Sequence, residues 1–179
     1  MGARALEFTI LTACRSGEVR GAKWSEFDLD GGVWTVPADR MKAGKEHRVP
    51  LSNTALAIVK QQKEFAFCDY VFPSSHRSKV SGVQGAPLSD MTLSAVLRRM
   101  RVAAVPHGFR STFRDWCAEQ TDYPREVAEM ALAHAIGCKV EAAYRRGDLF
   151  DKRKQMMQDW AEYIRTGQAI DANVRTVTE

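Results

Sequence analysis

The chain has 179 residues, 45% of them hydrophobic and 27% charged, with a formal net charge of +4. That is enough chain for one domain with a core, and no apolar run reaches the roughly 20 residues that span a bilayer. The opening residues 1–14 show no cleavage site, the four cysteines show no Cys-x-x-Cys spacing, and no two of the four histidines lie at i, i+4, so a signal peptide, a disulfide framework and a metal site are not indicated.

Residues 3–14 carry apolar side chains around much of a helical surface (Leu6, Phe8, Ile10, Leu11), which predicts a buried helix. Arg15 follows directly. A buried arginine needs a partner, and both Glu18 and a substrate phosphate are on offer; taken alone, Arg15 reads as half of a surface ion pair. Residues 24–29 read as a turn into a short strand, and Gly31-Gly32 as a second turn. Residues 33–37 and 48–51 read as paired strands, with Gly44 suited to a tight turn between them and Lys42 and Lys45 exposed on the tip. The expected result is a three-stranded antiparallel sheet in a mainly helical α+β fold. Ser52 reads as the N-cap of a helix over 53–67, and residues 70–73 as a short extended apolar segment.

Residues 74–87, rich in Ser, Gly and basic residues, read as an exposed mobile loop. Ser89 or Asp90 is the expected cap of a helix running to about residue 101, with Leu93, Val96, Leu97 and Met100 on one face. Residues 107–121 form the next expected helix, with Phe109, Phe113, Trp116 and Cys117 or Ala118 as its apolar stripe. On it His107, Arg110 and Arg114 fall one turn apart and predict a shared basic face. Pro124 suits the first turn of a helix ending near His134. A loop over 135–138 and a short helix over 140–146 bearing Tyr144 follow. Asp148 is the expected cap of a helix over 149–165 ended by Gly167, and residues 169–179 read as a disordered tail.

The charge is uneven. Residues 91–114 hold five arginines and no acid, and Arg40, Lys42, Lys45 and Arg48 crowd one hairpin. Such patches fit a polyanion, although any one of them alone reads as a solvated face. Phosphodiester cleavage by a side-chain nucleophile needs the nucleophile deprotonated, the non-bridging oxygens stabilised and the leaving oxygen protonated. Arginine forks suit the second need, which points to Arg15 and Arg110. A phenol, with an ordinary pKa of about 10, needs help to ionise, and His107 can accept its proton. Lys42 can protonate the leaving 5′ oxygen, and His134 can donate to the phosphate.

These residues resemble the boxes of the tyrosine recombinase, or phage-integrase, family. The matching motifs are Thr12-Ala13-Cys14-Arg15-Ser16-Gly17-Glu18, His107-Gly108-Phe109-Arg110, and Leu132-Ala133-His134 followed by Tyr144 in Tyr144-Arg145-Arg146-Gly147-Asp148-Leu149. Residues 33–52 resemble the strand segment carrying the family's lysine, with Lys42 the better match and Lys45 the reserve. The resemblance covers about residues 3–165 and is greatest to integrases of prophages and genomic islands. Two departures stand out: Ala13-Cys14 where a glycine is usual before the first arginine, and Leu-Ala-His for the common Leu-Gly-His.

The resemblance implies a catalytic domain over residues 1–168 lacking the family's N-terminal arm- and core-binding domains. It implies a catalytic set of Arg15, Lys42, His107, Arg110, His134 and Tyr144, with Arg40, Lys45, Arg114 and Arg145 as further DNA-backbone contacts. Tyr144 would form a 3′-phosphotyrosyl link, followed by strand exchange through a four-way junction, with no cofactor or metal. The implied partners are double-stranded attachment-site DNA, three further copies in a synaptic tetramer, an excisionase and a host DNA-bending protein, in the bacterial cytoplasm at the nucleoid. The free chain would associate weakly and bind DNA weakly and salt-sensitively. The helix over 149–165, through Met156, Met157 and Trp160, is a candidate to pack on a neighbouring protomer, with packing on its own domain as the alternative. Strand relaxation of the type IB topoisomerase kind and a non-catalytic DNA-binding or oligomerisation module are the competing functions.

Overall fold

The structure, a computed structural model, describes residues 1–74, 85–134 and 147–168. The opening segment forms α1 (Gly2–Thr12), with Ala5, Leu6, Phe8 and Leu11 buried. It stops where Ala13 turns left-handed, φ 50°. The chain restarts in α2 (Ser16–Arg20), where the Glu18 carboxylate accepts from the Arg15 amide as in a capping box.

Three strands follow, β1 (Phe27–Asp28), β2 (Val33–Val36) and β3 (His47–Pro50), antiparallel in the order β1-β2-β3. The register pairs Phe27 with Trp34 and Trp34 with Val49. Alternation sets the buried face: Trp34 and Val36 are buried, and Val33 and Thr35 partly exposed. Phe8 of α1 packs on Phe27, Trp34 and Phe72 with ring centroids 5.4 to 6.2 Å apart, which fastens the sheet to the helices. The β1–β2 turn is closed by Asp28, whose carboxylate accepts from the amides of Asp30 and Gly31.

The link between β2 and β3 is longer than the tight turn expected. Ala38–Arg40 form a 3-10 turn, and Met41 is buried and draws the chain back onto the core. Gly44, φ 62°, then closes a second turn, donating its amide to the Met41 carbonyl at 3.0 Å. Lys42 and Lys45 are exposed on it, as expected.

Ser52 caps α3 (Asn53–Lys63), accepting from the Ala55 amide. The helix ends before the expected 67 because Phe65 and Phe67 find no core and are exposed. Residues 69–71 lie against the start of the sheet region: Trp24 donates to the Asp69 carbonyl, and Val71 to that of Ala22. α4 (Thr92–Arg99) buries Leu93, Val96 and Leu97, but Met100 falls beyond its end and is exposed. Neither expected residue caps it. Met91 holds the cap position, and Ser89 contributes its carbonyl to the Thr92 amide. α1 meets α4 closely enough that a Cβ on Gly2 would lie 2.9 Å from the Thr92 methyl carbon.

The second half of the chain builds a second core. α5 (Gly108–Gln120) buries Phe113, Trp116 and Cys117, while Ala118 is exposed. α6 (Arg125–Ala131) buries Val127, Ala128 and Ala131, and α7 (Phe150–Thr166) buries Met156, Met157 and Trp160. Gly167, φ 69°, ends α7 as expected. Asp148 does not cap it: Leu149, φ 51°, holds that position, and Asp148 binds Arg153 instead. Trp160 packs against Phe113, Trp116 and Tyr163, with centroids 5.1 to 5.6 Å away, and donates from Nε1 to the Ile10 carbonyl at 2.9 Å. The candidate packing of Met156, Met157 and Trp160 on a neighbouring protomer is therefore corrected. Their apolar area is consumed in this chain, joining the two cores. The expected short helix over 140–146 and the tail over 169–179 lie outside the described residues, as does most of the loop over 74–87.

Replacing Trp160 by alanine removes an indole from the junction of the cores. The unfolding free energy should fall by about 3–5 kcal/mol, read from the denaturant midpoint. The loss should not depend on protein concentration, as it would if α7 were exchanged between copies.

Candidate active site

Arg110 lies in the first turn of α5 and is buried, 5% exposed. Nη1 donates to the carbonyl of Ala13, and Nη2 to that of Leu132 at 2.6 Å. Those two carbonyls close the C-terminal ends of α1 and α6, where helix dipoles concentrate negative charge. Each sits at a left-handed residue: Ala13 has φ 50°, and Ala133, next to Leu132, φ 48°. These are the two places where the resemblance leads one to expect glycine. An L residue in that region costs about 1–2 kcal/mol, and the buried cation offsets this by satisfying carbonyls that a helix end leaves open. Burial is the main influence pulling Arg110 below the ordinary guanidinium value, with the Arg15 charge adding to it and Glu18 opposing.

Arg15 follows Ala13 at the same helix junction. Its Nη1 meets Glu18 Oε1 at 2.8 Å, and Glu18 is buried while the Arg15 side chain stays 25% exposed. The ion pair read from the sequence is real but half sunk. Cys14, next to Arg15 in the chain, is buried. Burial and Glu18 push its thiol up to about 12, which makes it a poor nucleophile.

His134 reaches the same place from α6. The left-handed turn at Ala133 folds the chain back, and the His134 amide donates to the Glu129 carbonyl at 3.0 Å. Its Nδ1 lies 2.7 Å from Glu129 Oε2, and its Nε2 lies 3.4 Å from Arg110 Nη2. Arg15, Arg110 and His134, distant in sequence, thus meet where the C-termini of α1 and α6 face the N-terminus of α5.

The other expected residues that are described each have surroundings of their own. His107 holds the position before α5 and is exposed. The shared basic face expected of His107, Arg110 and Arg114 does not form: the first is in solvent, the second is caged by carbonyls, and Arg114 donates from Nε to Glu129 Oε1 at 2.9 Å. Arg40 turns inward, where Glu26 and the Glu18 carbonyl hold its guanidinium. Tyr144 and Arg145 lie outside the described residues.

Three residues escaped sequence reasoning. Glu129 is one, and its signal was a carboxylate five residues before His134. His47, at the start of β3, lies with Nε2 3.3 Å from the Ala131 carbonyl and so ties the lysine-bearing connection to the end of α6. Arg153 of α7 is 1% exposed; it donates to the Arg48 carbonyl at 2.5 Å, the Asp148 carbonyl at 2.7 Å and the Asp148 carboxylate at 2.7 Å. The partners of His47 and Arg153 are carbonyls and one loop carboxylate, which no sequence pattern names.

A model of the phage integrase family matches residues 2–148. The chain belongs to that family. It is 35% identical over 159 residues to the prophage integrase IntA of Escherichia coli K12, a match covering 87% of this chain and 37% of IntA. It is 33% identical over 179 residues to the integrase of Enterobacteria phage P4, covering 89% of this chain and 39% of that one. The chain spans about two fifths of the length of the curated relatives it matches. The crystal structure of XerA recombinase superposes with a TM-score of 0.57 at 18% identity, over 86% of this chain and 62% of that one, which gives the chain the tyrosine recombinase fold.

His47 supplies a pH test of the integrase fold. Burial, aided by the Arg153 charge, lowers its pKa from 6.5 to about 4. Between those values the unfolded chain binds more protons than the folded one, so stability rises with pH across that window. Acidifying from pH 7 to 4 should cost up to about 3 kcal/mol through this group, and His47→Gln should remove that part of the slope in denaturation midpoints.

Proposed function

We propose that this chain is the catalytic domain of a site-specific DNA recombinase that cleaves and rejoins strands through Tyr144. The observation that carries this reading is the Arg110 guanidinium between two helix ends, with His134 at its side and Arg15, two residues past Ala13, close enough for its charge to act on Arg110. Two arginines and an imidazole there suit a phosphate whose non-bridging oxygens gain charge as it becomes pentacovalent.

In the proposed step the Tyr144 phenol loses its proton to His107 and its oxygen attacks phosphorus. The bond to the 5′ oxygen breaks, and Lys42, with Lys45 in reserve, protonates that oxygen. The product is a 3′-phosphotyrosyl link and a 5′ hydroxyl, and attack by a 5′ hydroxyl from a second duplex reverses the step. The phosphodiester bond energy is kept in the link, so the balance calls for no nucleotide.

Chain length limits where the nucleophile can go. Tyr144 is four residues before Asp148, which Arg153 pins to β3. Four residues extend at most about 14 Å, so Tyr144 works on a leash fixed to the strand that follows the lysine-bearing loop. We further assign double-stranded attachment-site DNA as substrate and four protomers on two duplexes as the working assembly.

The test is a nicked suicide duplex built from the junction sequence of the encoding element. The protein should form a covalent adduct, and Tyr144→Phe should form none; an undiminished adduct in that variant would assign the nucleophile elsewhere. Arg15→Ala should slow adduct formation at least about a hundredfold while its melting curve stays cooperative.

A further inference from the structure

We infer that Glu129 is a positioning residue for His134, fixing which ring nitrogen faces the phosphate site beside Arg110. The inference rests on the reading that His134 serves phosphoryl transfer, and it adds a residue to that site.

The geometry settles the tautomer from both sides. Glu129 Oε2 lies 2.7 Å from His134 Nδ1. An ionised carboxylate only accepts hydrogen bonds. Glu129 is ionised at neutral pH: burial alone would raise its carboxyl, but bonds from Arg114 and His134 outweigh that and hold it below the usual value. Nδ1 must therefore carry a hydrogen. At the other nitrogen, Arg110 Nη2 approaches within 3.4 Å, and a guanidinium only donates. Nε2 is therefore an acceptor in the DNA-free site. The hydrogen bond at one imidazole nitrogen dictates the state of the other, and here the dictating partner is Glu129.

Glu129 is itself held. Arg114 Nε grips Oε1 at 2.9 Å, and Arg125 Nε stands 3.8 Å from the same oxygen. The carboxylate is only 17% exposed, whereas the His134 side chain is 40% exposed. A chain of held groups thus runs from Arg114 through Glu129 and His134 to Arg110, crossing from α5 to the end of α6 and back. Without Glu129 the imidazole could rotate or change tautomer, because its backbone lies just past a left-handed turn and no longer inside a helix. When a phosphate replaces Arg110 as the partner of Nε2, that nitrogen must bring a proton to donate, and the charge of the resulting imidazolium faces the Glu129 carboxylate. The arrangement follows the logic of an acid that orients a catalytic histidine without reacting itself.

The test combines a structural and a kinetic readout. In protein labelled with ¹⁵N-histidine, with His134 assigned by its loss in His134→Gln, the neutral ring should show the Nδ1–H tautomer. Glu129→Ala should shift it to a tautomer mixture while the melting curve remains cooperative. On the same suicide duplex, Glu129→Ala and Glu129→Gln should slow adduct formation about ten- to hundredfold, the range for losing an orienting partner, with duplex affinity within about twofold of wild type. Glu129→Asp should recover part of the rate, and Glu129→Ala should cost nothing more in a His134→Gln background. A wild-type rate and tautomer in Glu129→Ala would overturn the inference while leaving Tyr144 chemistry intact. A wild-type rate in His134→Gln would instead remove His134 from the proposed reaction, and the tautomer alone would then decide whether Glu129 orients it.

Discussion

One buried cation organises this molecule. Arg110 is out of solvent, and an arginine in that position is tolerated only if its hydrogen-bonding capacity is met. Two backbone carbonyls meet it, and both belong to helix ends that would otherwise hold open acceptors. The same contacts that make the burial affordable draw the end of α1, the start of α5 and the end of α6 to one point. The corner proposed to take the phosphate is therefore built by the packing, because the residues proposed to bind substrate are the ones that lock the helices.

Arg153 repeats the device at a second junction. It is also buried, and it spends its fork on the Arg48 carbonyl and on Asp148. Arg110 fixes the structure around His134, and Arg153 fixes the structure at Asp148. Tyr144 lies in the stretch between these anchors.

Much of the fold could be read from pattern. Short strand-like runs flanking a turn placed β2 and β3, helical periodicity placed α1 and α5, and Ser52 announced α3. The misses have physical causes. Ser89, Asp90 and Asp148 have capping chemistry, but the cap positions fall to Met91 and Leu149, and Asp148 is claimed by Arg153. Met157 and Trp160 looked available for a partner only because periodicity shows that a face is apolar and does not show what covers it. The basic face expected on α5 failed for a related reason: spacing aligns His107, Arg110 and Arg114, but burial and Glu129 give each a different environment.

The sequence by itself determined the inventory: two arginines, two histidines, lysines on a loop and a tyrosine, in an order that resembles one family, on elements whose periodicity is local and so written in the sequence. Only the tertiary structure decided the relations among them. It chose the carbonyls of Ala13 and Leu132 for Arg110, Glu129 for His134 and Asp148 for Arg153. Those partners are backbone atoms and carboxylates whose roles depend on where helices stop and cross, and a helix end acquires its neighbours only when distant segments pack.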